Sequence, residues 1–339
     1  MHILQNYIKQ SLSLIFLSIF LPLFSIASIV FLIKLATYTA VIQLSILEMG
    51  KLFLFMLPEL LFYTLPISFF VAITLALFKL SNENEIIVVF ALGIHPRVIL
   101  QTLFKPALFL SLLLLFNFFI LLPHAKTLSN NFLSYKKSEA KFNLSASEFG
   151  HKFGDWLLYI GKENENGSYA DVILFNKDQD EEVLIGAKKA EIINDAGVLR
   201  LKLSSGEGYS YSQEKFTQID FKTMFINDTM KTDFEKYETP LEYWLPKTPS
   251  AKKRKMLIAN ILFSLFPLLS LFLAASIGIV HARHQKGKIF LFLFAGIIIY
   301  YSLAIALQLV ISVYTVPVLI FGWLMATYTL YKKTIVAKF

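Results

Sequence analysis

Ser11-Leu-Ser-Leu-Ile-Phe-Leu-Ser-Ile-Phe-Leu-Pro-Leu-Phe-Ser-Ile-Ala-Ser-Ile-Val-Phe-Leu-Ile33 carries no charged residue. As a helix rising about 1.5 Å per residue it is about 34 Å long, enough to cross a hydrocarbon core of about 30 Å. It reads as a membrane span. Ser25-Ile-Ala27 loosely matches a signal-peptide cleavage site. The apolar run continues past it, however, beyond the roughly 7–15 residues of a secretory leader, so the span is expected to stay uncleaved. Five further runs follow: Leu52–Phe78, which contains Glu59; Val98–Leu122, with Lys105 near its start; the uncharged Met256–Val280; Ile289–Ser312; and the short Thr315–Tyr331, which opens on Val316-Pro317. The expected fold is a polytopic α-helical membrane protein, with six transmembrane helices arranged three plus three around a long polar insertion.

The composition agrees. The 339 residues are 56% hydrophobic and 17% charged, whereas soluble domains average about 45–50% and 25%. That excludes one ordinary soluble globule, and it excludes intrinsic disorder. With no cysteine, disulfides, thiolate nucleophiles and Cys-bound metals are excluded too. Residues 124–255 contain 20 Lys/Arg and 20 Asp/Glu; the remainder holds 12 and 4, so the net +8 lies among the apolar segments. This is the pattern of a membrane protein with basic flanks, not of a nucleic-acid binder.

Basic residues in short loops set orientation. With the N-terminus inside, the inner segments carry Lys9, Lys79, Arg97, Lys105, Arg283, Lys286, Lys288, Lys332, Lys333 and Lys338, and the short outer ones only Lys34 and Lys51. Both termini are then cytoplasmic and the insertion lies outside. Lys252, Lys253, Arg254 and Lys255 oppose this assignment, but long domains cross largely regardless of charge.

The insertion reads as β after a polar helical run over 126–141. Strand-like stretches recur at Trp156–Gly161, Tyr169–Phe175, Val183–Ile193, Val198–Leu203 and Phe216–Ile226. Leu199, Leu201 and Leu203 alternate with Arg200 and Lys202, and Ile219, Phe221 and Phe225 are expected to share one face opposite Asp220 and Lys222. Turn signals fall at Asn164–Gly167, Asp195–Gly197 and Ser205-Gly206. A sandwich, jelly roll or open barrel would suit. The expected domains are 1–123 with three spans, 124–255 as the outer all-β (jellyroll-like) domain, and 256–339 with three spans. Asn143, Asn166 and Asn227 begin glycosylation-type triplets of a kind that arises often by chance.

Phosphate-binding, zincin and nucleophile-elbow motifs are absent. His281 and His284 sit three apart in a basic loop without a carboxylate nearby, which favours a solvated headgroup loop over a metal site. No metal or cofactor is expected. Glu59 is the one acid within a span, beside Pro58 and ahead of Pro66. A structural or interfacial role is favoured over proton coupling, which needs a second titratable group in another span. Lys34 closes the first span, either as a snorkelling anchor or as a contact to an anionic headgroup.

The most informative inner segment is Lys79-Leu-Ser-Asn-Glu-Asn-Glu-Ile-Ile-Val-Val-Phe-Ala-Leu-Gly-Ile-His-Pro-Arg97. Asn82 suits a helix N-cap, with Glu85 at the third position as in a capping box. Glu83 and Glu85 suit the positive helix end, and Gly93 the stop before Pro96. Ile86, Val89 and Phe90 make an apolar face at i, i+3, i+4. A helix over 82–92 is too short to stand alone. It needs a docking surface, either the membrane interface or a groove in another protein.

The chain resembles the LptF/LptG (YjgP/YjgQ) permeases of the lipopolysaccharide export ABC transporter over nearly its full length. The shared stretches are Leu57-Pro-Glu59, Leu65-Pro-Ile-Ser68, Leu77-Phe-Lys-Leu80, Glu83-Asn-Glu-Ile86 and Ala91-Leu-Gly93, with the Tyr7 region, Pro106 and Arg254 also similar. The Pro-Glu pair and the 79–93 segment lie closer to LptF. The resemblance implies a Gram-negative inner-membrane subunit paired with an LptG-type paralogue above an LptB-type ATPase dimer. It implies that the 82–92 helix couples to that ATPase through Asn82, Glu83, Glu85, Ile86, Val89, Phe90 and Gly93. It implies a periplasmic β-jellyroll passing lipopolysaccharide towards LptC and LptA-type proteins. Lys34 and Arg254 fall where a headgroup phosphate could be met. The subunit itself is expected to be non-catalytic. Rival classes are a receptor or scaffold with a ligand-binding outer domain, an ion-coupled carrier, and a lipid-modifying enzyme. Weighing against them are, in turn, six spans with a structured inner helix, a single intramembrane acid without inverted repeats, and the lack of a nucleophile or metal set.

Overall fold

The computed structural model describes residues 2–39, 44–141, 149–153, 156–164, 168–177, 181–195, 198–212, 215–227, 239–246, 250–279 and 288–337. The chain divides into a helical unit (1–35, 49–129 and 236–339) and a β unit (36–48 and 130–235). His281 and His284 lie outside the described residues, as do Asn143 and Asn166.

Apolar runs too long for a loop become long helices. α1 spans His2–Thr39, α2 Ile46–Asn82, α3 Glu85–Ala91 and α4 Arg97–Phe116. A π-turn at Asn117–Leu121 leads into α5, Leu122–Lys141. After the strands come α6 (Pro240–Trp244), α7 (Ala251–Leu269), α8 (Leu271–Gly278), α9 (Ile289–Ile311) and α10 (Thr315–Tyr331). α1, α2 and the α4–α5 run are each long and apolar enough to cross a membrane. α7 and α8 together make a fourth such segment, bent by 44°. Pro267 lies within α7, where it removes one backbone donor and weakens the ladder just before the bend.

The last apolar run, Ile289–Val336, is 48 residues long. A straight helix would separate Tyr300 from Trp323 by about 35 Å, yet their ring centroids are 5.0 Å apart. The chain therefore doubles back at Ser312, where φ is +48°, and α9 and α10 are two antiparallel spans. Counting α9 and α10 separately, the described residues hold six membrane-spanning segments, three before and three after the strands in sequence.

The helical core centres on Phe266, whose ring lies 5.3 Å from Phe70 and 4.7 Å from Tyr300. The fully buried Tyr300 hydroxyl donates to the Leu262 carbonyl at 2.8 Å. α8 approaches α2 so closely that a Cβ on Gly278 would lie 2.6 Å from the Thr74 carbonyl oxygen, the small-residue contact by which helices pack in lipid. Gly278→Val is expected to destabilise this unit by roughly 1–3 kcal/mol, lowering the melting temperature in detergent. Gly322→Ala, which meets nothing within 4 Å, is the matched change expected to leave it unaltered.

The β unit holds one six-stranded antiparallel sheet in the order β1-β2-β3-β4-β5-β6: Phe149–Phe153, Trp156–Glu163, Ser168–Lys177, Glu181–Asp195, Val198–Ser212 and Phe216–Asn227. The order makes it a meander. β1 lacked a period-two signal in the sequence.

A crease crosses this sheet. Register is continuous on both sides of it: Ile160↔Val172 and Lys162↔Ala170, Ala187↔Gly206 and Lys189↔Ser204, Gly206↔Phe221 and Ser204↔Thr223. The row between, Gly161, Asp171, Lys188, Ser205 and Lys222, is left out of the pairing. Asp171 and Ser205 there have φ of +55° and +53°. One such residue per strand flips the inward-facing parity. On β4, Ile185 and Ala187 are buried before the crease and Ala190 after it; on β3, Tyr169 before and Val172 and Leu174 after. Both halves thus turn their apolar residues to one core. Two expectations change as a result. Ser205-Gly206 is not a turn, because β5 runs through it. Phe225 does not share a face with Phe221: it is 53% exposed, while Ile226 beside it is buried.

Candidate functional site

α3, seven residues between the second and third spans, is built differently from a capping box. Asn82 is the last residue of α2 and is exposed. The N-cap is Asn84, with φ of +61° and no side-chain cap bond; asparagine tolerates that left-handed geometry better than most residues. Glu85, the first helical residue, instead accepts a hydrogen bond from the Tyr7 hydroxyl of α1 at 2.9 Å. The stop is as expected. Gly93 has φ of +79°, its N–H donates to the Phe90 carbonyl at 2.9 Å, and the Ile94 N–H donates to Val89 at 3.3 Å, which is a Schellman motif.

The expected apolar face divides. Ile86 is only 3% exposed and packs among Leu4, Ile8, Leu80 and Ile99, with Val89 and Phe90 half-buried beside it. This face docks on the chain's own α1, α2 and α4, so it is not available to a partner. The outward side carries Glu83, Val88, Ala91 and Leu92, with Val88 57% and Leu92 75% exposed. Sequence reasoning missed Val88 and Leu92, because i, i+3, i+4 spacing marks an apolar face without saying which surface it meets.

Two groups of three spans, an inserted strand domain and a docked helix between spans two and three are now in place. The sequence matches the family model described as lipopolysaccharide export system permease LptF/LptG over residues 6–330. The chain belongs to the LptF/LptG family. No curated protein matches it. Membership makes it a multi-pass membrane protein and a permease component of the lipopolysaccharide export system.

In this LptF/LptG chain, Lys34 is exposed near the end of α1. Arg254 is exposed in the first turn of α7, beside exposed Lys252 and Lys255. Ser250 caps α7 by accepting from the Lys253 N–H at 3.4 Å. The Lys253 ammonium lies 4.6 Å from the Tyr243 ring centroid, a cation–π contact. α6 sets that ring in place. Thr239 and Glu242 form a reciprocal capping box, and the Thr239 backbone N–H and hydroxyl hold the Glu242 carboxyl below its ordinary range. Trp244 is buried 4.4 Å from Phe118. The cations face the positive end of their own helix dipole, which is unfavourable. Glu59 is half-buried, and the preceding Pro58 carbonyl accepts from the Asn117 side-chain amide at 2.9 Å. This bond ties the start of the π-turn to α2 beside the proline.

Proposed function

We propose that this permease couples a separate ATPase, of the LptB type, to lipopolysaccharide extraction from the outer leaflet of a Gram-negative inner membrane. Its partners are then an LptG-type paralogue and the LptC- and LptA-type jellyroll proteins. In this reading α3 lies in the cytoplasm, as do both termini, residues 124–255 are periplasmic, and the β unit receives acyl chains. Each buried CH₂ is worth about 0.8 kcal/mol, so pulling several chains into water would cost tens of kcal/mol; an apolar groove offsets most of this and a motor supplies the rest.

The observation that carries the reading is the two-sidedness of α3. One face is fixed by Ile86 and by the Tyr7–Glu85 bond, while Val88 and Leu92 stand exposed. Force applied to the outer face therefore reaches α1 directly. Asn82, Glu83, Glu85, Val89, Phe90 and Gly93 shape and orient the helix in this scheme. Lys34 and Arg254 take headgroup phosphate, the exposed cations of α7 accepting a stability loss for an anion site.

The test is lipid release per ATP hydrolysed in the reconstituted assembly. Tyr7→Phe is expected to lower that ratio severalfold while ATPase recruitment stays normal. An unchanged ratio would remove the latch from the mechanism.

A further inference from the structure

α4 carries a polar stripe on an otherwise apolar helix. Arg97, Gln101 and Lys105 are spaced i, i+4, i+8 and all three are exposed, so they share one face. Lys105 stands about 12 Å along the axis from Arg97 and is the one charged residue between Val98 and Leu122. A lysine at such a depth is costly unless it finds an anion or reaches the interface. Among the described residues no carboxylate pairs with it.

Beside Gln101 and Lys105 opens a groove of about 530 Å³. Its remaining walls are apolar and include Phe104, Leu268, Phe272 and Leu324. It lies where α7 and α8 bend apart around Ser270, against α10. The volume falls within the range of about 300–1,000 Å³ typical of small-molecule sites. No acid lines it.

We propose that this groove binds one anionic glycerophospholipid from the leaflet on the α3 side of the membrane. The Lys105 ammonium and the Gln101 amide N–H groups hold its phosphate, and one fatty chain lies along Phe104, Leu268, Phe272 and Leu324. Charge complementarity selects an anionic headgroup, since a zwitterionic one brings a cation to a groove that already has Lys105. The apolar walls select a lipid over a free anion. The inference does not depend on which lipid the permease exports.

The experiment is native mass spectrometry of the full chain with its co-purifying subunits, from nanodiscs of phosphatidylcholine with or without phosphatidylglycerol. One retained phosphatidylglycerol per chain is expected, even at a minor mole fraction. Lys105→Gln and Leu324→Trp are each expected to lower its occupancy at least tenfold. Lys105→Arg and Lys332→Gln are expected to keep it. Equal retention of phosphatidylcholine, or full occupancy in Lys105→Gln, overturns the proposal. So does efficient crosslinking from a cysteine placed at Phe104 to another polypeptide, which would show that a protein covers the groove. The comparison of the two lipids in the unmutated protein decides the matter even if a variant fails to fold.

Discussion

Ile86→Asp is expected to detach α3 from the helical unit and abolish ATPase recruitment, whereas Leu92→Asp weakens recruitment by roughly 30-fold and leaves the fold intact. The Ile86 side chain is 3% exposed. Removing it forfeits an isoleucine's burial, about 2–5 kcal/mol, and the carboxylate that replaces it has no cation in the packing around it. Seven residues give α3 little helical stability of its own, so without that anchor only the Tyr7–Glu85 bond and the half-buried Val89 and Phe90 remain. Hydrogen exchange over 85–92 should rise towards that of an open loop. Leu92 is 75% exposed, and surface substitutions of this kind normally stay within about 0.5 kcal/mol in stability. If it sits at the centre of a protein contact, its loss is worth about 2 kcal/mol or more of binding, roughly a 30-fold weaker complex. The pair of variants separates docking on the chain's own helices from docking on a motor. Normal recruitment by Leu92→Asp combined with Val88→Asp would sink the assignment of α3 as the motor contact.

The spans, their number and the existence of α3 were legible because each rests on a long or strongly punctuated signal. Ser11–Ile33 carries no charge over its length, and Gly93 ends α3 because its φ of +79° is a glycine conformation. The reversal at Ser312 was also legible, as a break between two apolar runs. What the sequence hid were facts of tertiary placement. Ile86 and Leu92 are both apolar residues on one short helix, and only the position of α1 decides which is buried. Glu85 suited a capping box on spacing alone, and the hydroxyl of Tyr7, 78 residues away, took its carboxylate instead. In the β unit, strict alternation was the wrong model for β5 and β6, because one residue of each strand, the left-handed Ser205 and its neighbour Lys222, drops out of the pairing and inverts every side chain beyond it. Ser205-Gly206 therefore looked like a turn, the commonest setting for that pair.

The crease makes a second large effect predictable. Gly206 sits next to it, between β4 and β6. A Cβ there would overlap the Gly186 carbonyl oxygen and lie 2.5 Å from Phe221 Cζ and 3.0 Å from the Ala187 Cα. Two of these neighbours are backbone atoms of a paired strand, so relief requires the strands to separate and not merely a side chain to rotate. Gly206→Val is therefore expected to reach or exceed the upper end of the roughly 1–3 kcal/mol range for overpacking. The damage should spread along the crease, since β4, β5 and β6 meet there and their shared core includes Ala187, Leu203 and Phe221. Limited proteolysis of the full chain should cut within 181–227 well before the spans, and lipid release should fail while ATPase recruitment through α3 persists. Gly186, the cross-strand partner of Glu207, has nothing within 4 Å of its own Cβ position. Gly186→Ala is accordingly expected to be tolerated, and to gain slightly from the lower conformational freedom of alanine in the unfolded chain. Equal damage from both substitutions would mean that glycine serves strand flexibility here in general; damage from Gly206→Val alone ties it to the close approach of three strands at the fold line.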